Sequence, residues 1–320
     1  MTFKKSLFIA LLSVGIANTA LAETDSEKFD RAVQAYEQQN YSAAFPLFKQ
    51  LAEQGHASPQ FNLGLMYANG EGVTQSDKQA AYWFEKAAEQ GYADAQFNLG
   101  VMYRKGQGVT QSDKQAAYWY EKAAEQGYAD AQSNLGFMYE KGLGVTQSDK
   151  QAVYWYEKAA EQGDADAQFN LALMYEKGQG VTQSDKQAVY WYEKAAEQGD
   201  TIAQYNLALM YEDGKGVTQS DKQAVYWYEK AAEQGDAKAQ FNLGVMYNRG
   251  RGVTQNYKQA AYWFEKAAEQ GDANAQVMLG LFYQYRRDLS KAKHYYGLAC
   301  DGGNEIGCKN YAELDKQGVQ

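Results

Sequence analysis

Apolar and polar positions follow two alternating helical patterns that return along most of the chain. In the stretch GYADAQFNLGVMYRKGQGVTQSDKQAAYWYEKAAEQ, residues 91–126, Ala95, Leu99, Met102 and Tyr103 stand at the spacing of one helix face. Gly106 and Gly108 follow, and glycine just past a helix can take the left-handed conformation that satisfies the last carbonyls. Ser112 stands three residues before Gln115. This is the Ser-x-x-Gln form of a capping box and predicts two reciprocal side-chain bonds at a helix start. The second helix, KQAAYWYEKAAEQ, ends at Gly127, and Val109 is expected to bury under the loop between the two helices.

The pattern is periodic. Gly55, Gly91, Gly127, Gly163, Gly199, Gly235 and Gly271 each fall 36 residues after the last. A fixed period of this size predicts a stacked array of small units, none of which can bury its apolar face alone. The column Gly64, Gly100, Gly136, Ala172, Ala208, Gly244, Gly280 never holds a large side chain, which marks close helix contact. All six tryptophans share one column, Trp83, Trp119, Trp155, Trp191, Trp227 and Trp263.

Leu99-Gly100-x-x-Tyr103, then Gly-x-Gly-Val, then Ala-x-Tyr-Trp-Tyr-x-Lys-Ala-Ala-x-x-Gly resembles the Sel-one-like repeat, a cousin of the tetratricopeptide repeat with a longer inter-helix loop. The resemblance covers roughly residues 57–303. It implies an all-α fold, a right-handed α/α solenoid of stacked helical hairpins, and a scaffold that holds protein or extended peptide partners. Some cysteine-rich relatives of the family are associated with penicillin binding and weak β-lactamase activity, which supplies the rival expectation of a cell-wall or β-lactam hydrolase. The resemblance also bears on Cys300 and Cys308, the two cysteines of the chain. Relatives bridge cysteines eight apart across such turns, and an exported chain favours oxidation, so a disulfide is expected here.

The ends depart from the period. Lys4 and Lys5, the apolar run Leu7 to Ile16, and Ala20-Leu21-Ala22 read as a cleavable signal peptide over 1–22, implying a periplasmic or secreted protein. Residues 27–54 read as an N-terminal capping hairpin, with Ala32, Val33 and Tyr36 on its first helix and Ala44, Leu47, Phe48 and Leu51 on its second. Six full copies span 57–272, a shortened seventh spans 273–303, and 304–320 holds a closing helix and tail.

Charge narrows the partners. The chain carries a formal charge of −9, which becomes −11 once Lys4 and Lys5 are cleaved away. Phosphate binding needs a surplus of Lys and Arg, so nucleic acid is not an expected partner. No segment after the leader is apolar enough for membrane insertion.

Candidate chemistry is sparse. The Gly-x-Gly loops lack the Gly-Lys-Ser/Thr ending of a phosphate loop. His56 and His294 lie at opposite ends, so no metal site is expected, and no cofactor. Asp77, Asp113 and Asp149 sit at helix starts, where they complement the dipole. Ser290 and Lys293 have the Ser-x-x-Lys spacing of penicillin-directed serine enzymes, but the companion Ser-Asp-Asn and Lys-Thr-Gly motifs are missing. No catalysis is expected.

What remains is apolar surface beyond the needs of one helix face. Phe97 and Val101 stand four apart, as do Phe61 and Leu65, Ser133 and Phe137, Phe169 and Leu173, Tyr205 and Leu209, and Phe241 and Val245. An amide column, Asn62, Asn98, Asn134, Asn170, Asn206 and Asn242, runs beside them. Two readings fit: a stripe packed on the neighbouring copy with Asn bonded to backbone, or a concave binding groove with amide donors at each step.

Overall fold

The computed structural model describes residues 23–320, and the leader expected over 1–22 lies outside them. The described residues form seventeen α-helices and no strand. The described residues divide into two compact units, one ending at Ala167 and the other spanning Gln168–Gln320. The first holds α1 (Asp25–Glu37), α2 (Tyr41–Glu53), α3 (Ala57–Asn69), α4 (Asp77–Glu89), α5 (Ala93–Lys105), α6 (Asp113–Glu125), α7 (Ala129–Lys141) and α8 (Asp149–Glu161). The division falls inside α9 (Ala165–Lys177). The second continues with α10 (Asp185–Glu197), α11 (Thr201–Asp213), α12 (Asp221–Glu233), α13 (Ala237–Arg249), α14 (Tyr257–Glu269), α15 (Ala273–Tyr285), α16 (Leu289–Asp301) and α17 (Glu305–Lys316). Within each unit, helical hairpins stack on their neighbours in chain order.

The two loop glycines do different work. Gly106 adopts φ 67°, and its amide bonds the Met102 carbonyl to close the helix. Gly108 also has a positive φ, 69°, but its second constraint comes from another copy: a Cβ there would collide with the Asp77 carbonyl and the Lys78 amide at the start of α4. Gly144 meets Asp113 in the same way, and Gly252 meets Asp221. Helix capping alone, as read from the spacing, misses this contact between copies.

The reciprocal capping box expected at Ser112 and Gln115 is corrected. Ser112 Oγ accepts from the Gln115 amide at 3.2 Å. The Ser112 amide, however, donates to the Tyr103 carbonyl at 2.9 Å, so nothing is left for the Gln115 side chain to satisfy. A full box forms instead at Thr24 and Glu27, where α1 begins.

The small-residue column is explained by the ring it faces. A Cβ on Gly100 would lie 2.7 Å from the Tyr120 ring, and one on Gly136 would lie 2.7 Å from Tyr156. Phe84, Tyr120, Tyr156, Tyr192 and Tyr228 are each no more than 1% exposed. In two copies of the second unit the facing residue is already alanine, Ala172 and Ala208, both fully buried. The same ring, Tyr192 or Tyr228, is thus accommodated beside a methyl in those copies. Gly100→Ala should change the melting temperature by no more than a few degrees, because the gain in helix propensity offsets the tighter contact. A large drop on thermal unfolding would show that the copies are not interchangeable at this position.

Tryptophan joins successive copies. Trp119, 8% exposed, belongs to the core that joins Phe84 of the preceding copy to Leu99 of its own. Val109 is half-buried and packs against the same core. Tyr118 lies edge-on to Trp119 at 4.9 Å and stays about half exposed.

A bond that recurs from junction to junction runs beside these cores. Gln96, buried inside α5, donates to the Ala88 carbonyl at 3.0 Å and accepts from Gln126 at 2.7 Å. Gln132 repeats this with Ala124 and Gln162, and Gln240 with Ala232 and Gln270. The donor stands eight residues after its carbonyl acceptor each time. At the last junction the same eight-residue offset holds the Cys300–Cys308 disulfide, with 4.3 Å between Cα atoms. A covalent link thus replaces the amide bond where α17 closes the second unit.

Candidate functional site

The half-buried faces of the first helices are where a partner could touch. In the first unit these belong to α3, α5 and α7. Phe61 is only 1% exposed, its ring 5.7 Å from Phe84 and 5.1 Å from Tyr92. Asn62 and Asn98 are also buried, at 6% and 4%. These three side chains contribute packing and present almost no surface. Asn98 Nδ2 donates to the Asp94 carbonyl at 2.9 Å, and Asn134 Nδ2 to the Asp130 carbonyl at 2.7 Å, each one turn back in its own helix. Phe97, Val101, Asn134 and Phe137 remain half-buried. Phe97 lies on Tyr128 at 5.1 Å and near Tyr120 at 5.8 Å.

In the second unit the row is more open. Phe169, Asn170, Leu173, Tyr205, Asn206, Phe241, Asn242 and Val245 are all half-buried. Phe169, Tyr205 and Phe241 seat on Tyr192, Tyr228 and Phe264 at 5.8–6.0 Å. Asn242 Nδ2 donates to the Tyr228 hydroxyl at 3.2 Å, so one face of the amide column is already engaged.

A second polar column borders the row and was not singled out in the sequence. Tyr156 donates to Glu140 at 2.9 Å, Tyr192 to Glu176 at 2.6 Å and Tyr228 to Glu212 at 2.7 Å. The signal was available as a covariation between columns: where the ring is Phe84 or Phe264, the corresponding position holds Ala68 or Asn248 instead of Glu. Burial, reinforced by the adjacent carboxylate, pushes the Tyr156, Tyr192 and Tyr228 phenols far above their usual range. Burial also raises Tyr120, to about 12, although Arg104 pulls it down.

This fixes the sign of an alkaline transition. The folded phenols hold their protons more tightly than the unfolded ones, whose pKa is 10.0. The contribution is therefore intact below pH 10 and is lost as the pH climbs above it. Denaturant midpoints should fall steeply above pH 10, and less so in a Tyr156→Phe, Tyr192→Phe variant. Coincident curves for the two proteins would contradict this origin.

The candidate hydrolase residues do not assemble. Ser290 is exposed, while Lys293 Nζ bonds Asp315 at 2.8 Å and the Val319 carbonyl at 2.6 Å. Among the described residues no cluster of His, Cys, Asp or Glu could hold a metal ion. No described helix is long and apolar enough to cross a membrane.

A family model, the Sel1 repeat, matches residues 35–56, 60–92, 93–128, 129–164, 165–200, 201–236, 237–272 and 273–304. The chain is similar to the crystal structure of a protective antigen present in uropathogenic Escherichia coli strains displaying an SLR fold, at 41% identity over 86% of this chain, with a TM-score of 0.81. It spans 60% of that antigen's length. It is also similar to a Sel1 repeat protein from Oxalobacter formigenes, at 35% identity over 75% of this chain and 96% of the other, with a TM-score of 0.64. No curated protein matches the chain.

Proposed function

The chain belongs to the Sel1 repeat family, whose members are generally protein-interaction scaffolds, and from that premise we propose that it is an exported scaffold without chemistry of its own. The observation that carries this reading is the row of half-buried rings, aliphatic side chains and amides recurring at corresponding positions of α9, α11 and α13. Such a row suits an extended peptide or protein segment that makes several weak contacts, each linked to the next. The Cys300–Cys308 bridge favours an oxidising compartment, periplasmic or extracellular. Intact mass of the exported protein should correspond to cleavage after Ala22; a retained leader would overturn the assignment.

Leu173→Asp with Val245→Asp should abolish capture of the partner from envelope extract; both side chains also pack on the cores behind them, so the melting temperature should fall, and capture is compared at a temperature where circular dichroism shows the variant folded. Tyr190→Ser with Tyr226→Ser, on the exposed rings of the second helices, should leave capture intact. Equal capture by both variants would sink the groove. Turnover of a chromogenic β-lactam by the purified protein would overturn the scaffold reading itself.

A further inference from the structure

Within the first unit three of the departures from the repeat belong together. Position 104 holds Arg, where the next copies hold Glu140, Glu176 and Glu212. Position 133 holds Ser in a column otherwise of Phe, Tyr and Val, and position 137 holds Phe in a column of Leu and Val. Folding brings the departures together. The Arg104 guanidinium lies over the Phe137 ring at 5.0 Å, and its Nη1 donates to Asn134 Oδ1 at 3.2 Å. Lys141 Nζ approaches the same ring at 5.8 Å.

Two cations share one ring, and they are not equally neutralised. Lys141 pairs with Glu140 at 2.5 Å. Arg104 is half-buried, and no carboxylate pairs with it among the described residues. Arg251, by contrast, meets both Glu212 and Asp221. A guanidinium offers five donors in a planar fork suited to a carboxylate, and a ring beneath it fixes the plane of that fork. Leaving such a group half-desolvated without a counter-ion costs free energy that an incoming anion would recover. The protein's charge of −9 makes an isolated cationic site a selective feature.

We propose that Arg104, on the Phe137 ring and steered by Asn134, is a receptor for the side-chain carboxylate of an Asp or Glu in an extended peptide lying along α5 and α7. Half-buried Val101 continues the apolar row from Phe137, so an apolar residue flanking the acid has a seat. The inference rests on the scaffold reading and narrows it to an acidic-apolar segment.

The test uses the full chain and two fluorescent peptides, acetylated and amidated at their ends: alternating Glu-Phe, and the same peptide with Gln for Glu. The Glu peptide should bind at least about tenfold more tightly, the loss expected when one charge-assisted contact is removed. Arg104→Glu supplies the residue type of the following copies, Glu140, Glu176 and Glu212, so it should fold normally, with the introduced carboxylate accepting from Tyr120. It should bring the Glu peptide down to the affinity of the Gln peptide or below, and Arg104→Lys should recover part of the difference. Equal binding of the two peptides to the native protein would overturn the receptor while sparing the groove. A preference for the free carboxyl terminus of an unamidated peptide would overturn the side-chain assignment. Binding of neither peptide would overturn the groove in this unit and the receptor with it.

Discussion

Gly108→Ala should destabilise the first unit far more than Gly91→Ala, although both replace a glycine of positive φ. At Gly91, φ is 87° and an added Cβ meets nothing within 4 Å. The cost there is that of holding an L-residue in the left-handed region, about 1–2 kcal/mol. At Gly108 the same strain is joined by a collision with backbone of the neighbouring copy, Asp77 and Lys78. Backbone at a helix start cannot rotate away as a side chain can. The copies would have to move apart, at an overpacking cost of about 1–3 kcal/mol more. Equilibrium denaturation of the two variants checks the comparison. Equal losses would mean that the close approach of Gly108 to α4 is not structurally demanding.

Tyr156→Ala should cost about 3–5 kcal/mol, in the range for deleting a large buried ring. The ring is fully buried and lies over Gly136, which offers no side chain to fill the space it leaves. Glu140 would also lose the phenol that donates to it. Tyr192→Ala should cost less, since Ala172 already carries a methyl at the position matching Gly136. Calorimetry on each single variant decides this. Stacked repeats are held largely by their nearest neighbours, so the Tyr156 variant should also separate unfolding into more than one step. A loss under about 1 kcal/mol, with one cooperative transition, would mean that the neighbouring copies close over the gap.

Much of this was legible in the sequence because every copy repeats the same residues. The glycine spacing, the helical apolar pattern and the Trp column led to stacked hairpins, and the structure has them. What the pattern could not supply was the partner of each polar group. Ser112 and Gln115 have the right spacing for a reciprocal box, yet the Ser112 amide is taken by Tyr103, nine residues earlier. The candidate groove mixed two populations, because Asn98 and Asn170 are the same residue in the same column but differ in burial. Burial depends on the side chains of adjacent copies, which a single column does not contain. The bonded glutamines were visible as unvaried columns, Gln96 and Gln126 with their equivalents, but polar side chains of that kind also read as solvated surface. Only the fold shows Gln96 to be 4% exposed and held from both sides.

Those glutamines have a consequence for how such a gene can change. From junction to junction the same donor, the same acceptor and the same eight-residue offset recur, so one copy can follow another without a new interface being invented. Recombination between near-identical coding stretches could add or remove a whole hairpin in frame, and the product would meet its neighbours through bonds already in place. The bridge between Cys300 and Cys308 takes the place of that bond at the junction of α15, α16 and α17. Selection could therefore act on the number of hairpins, removing or adding whole steps, while each step inherits a joint that already works.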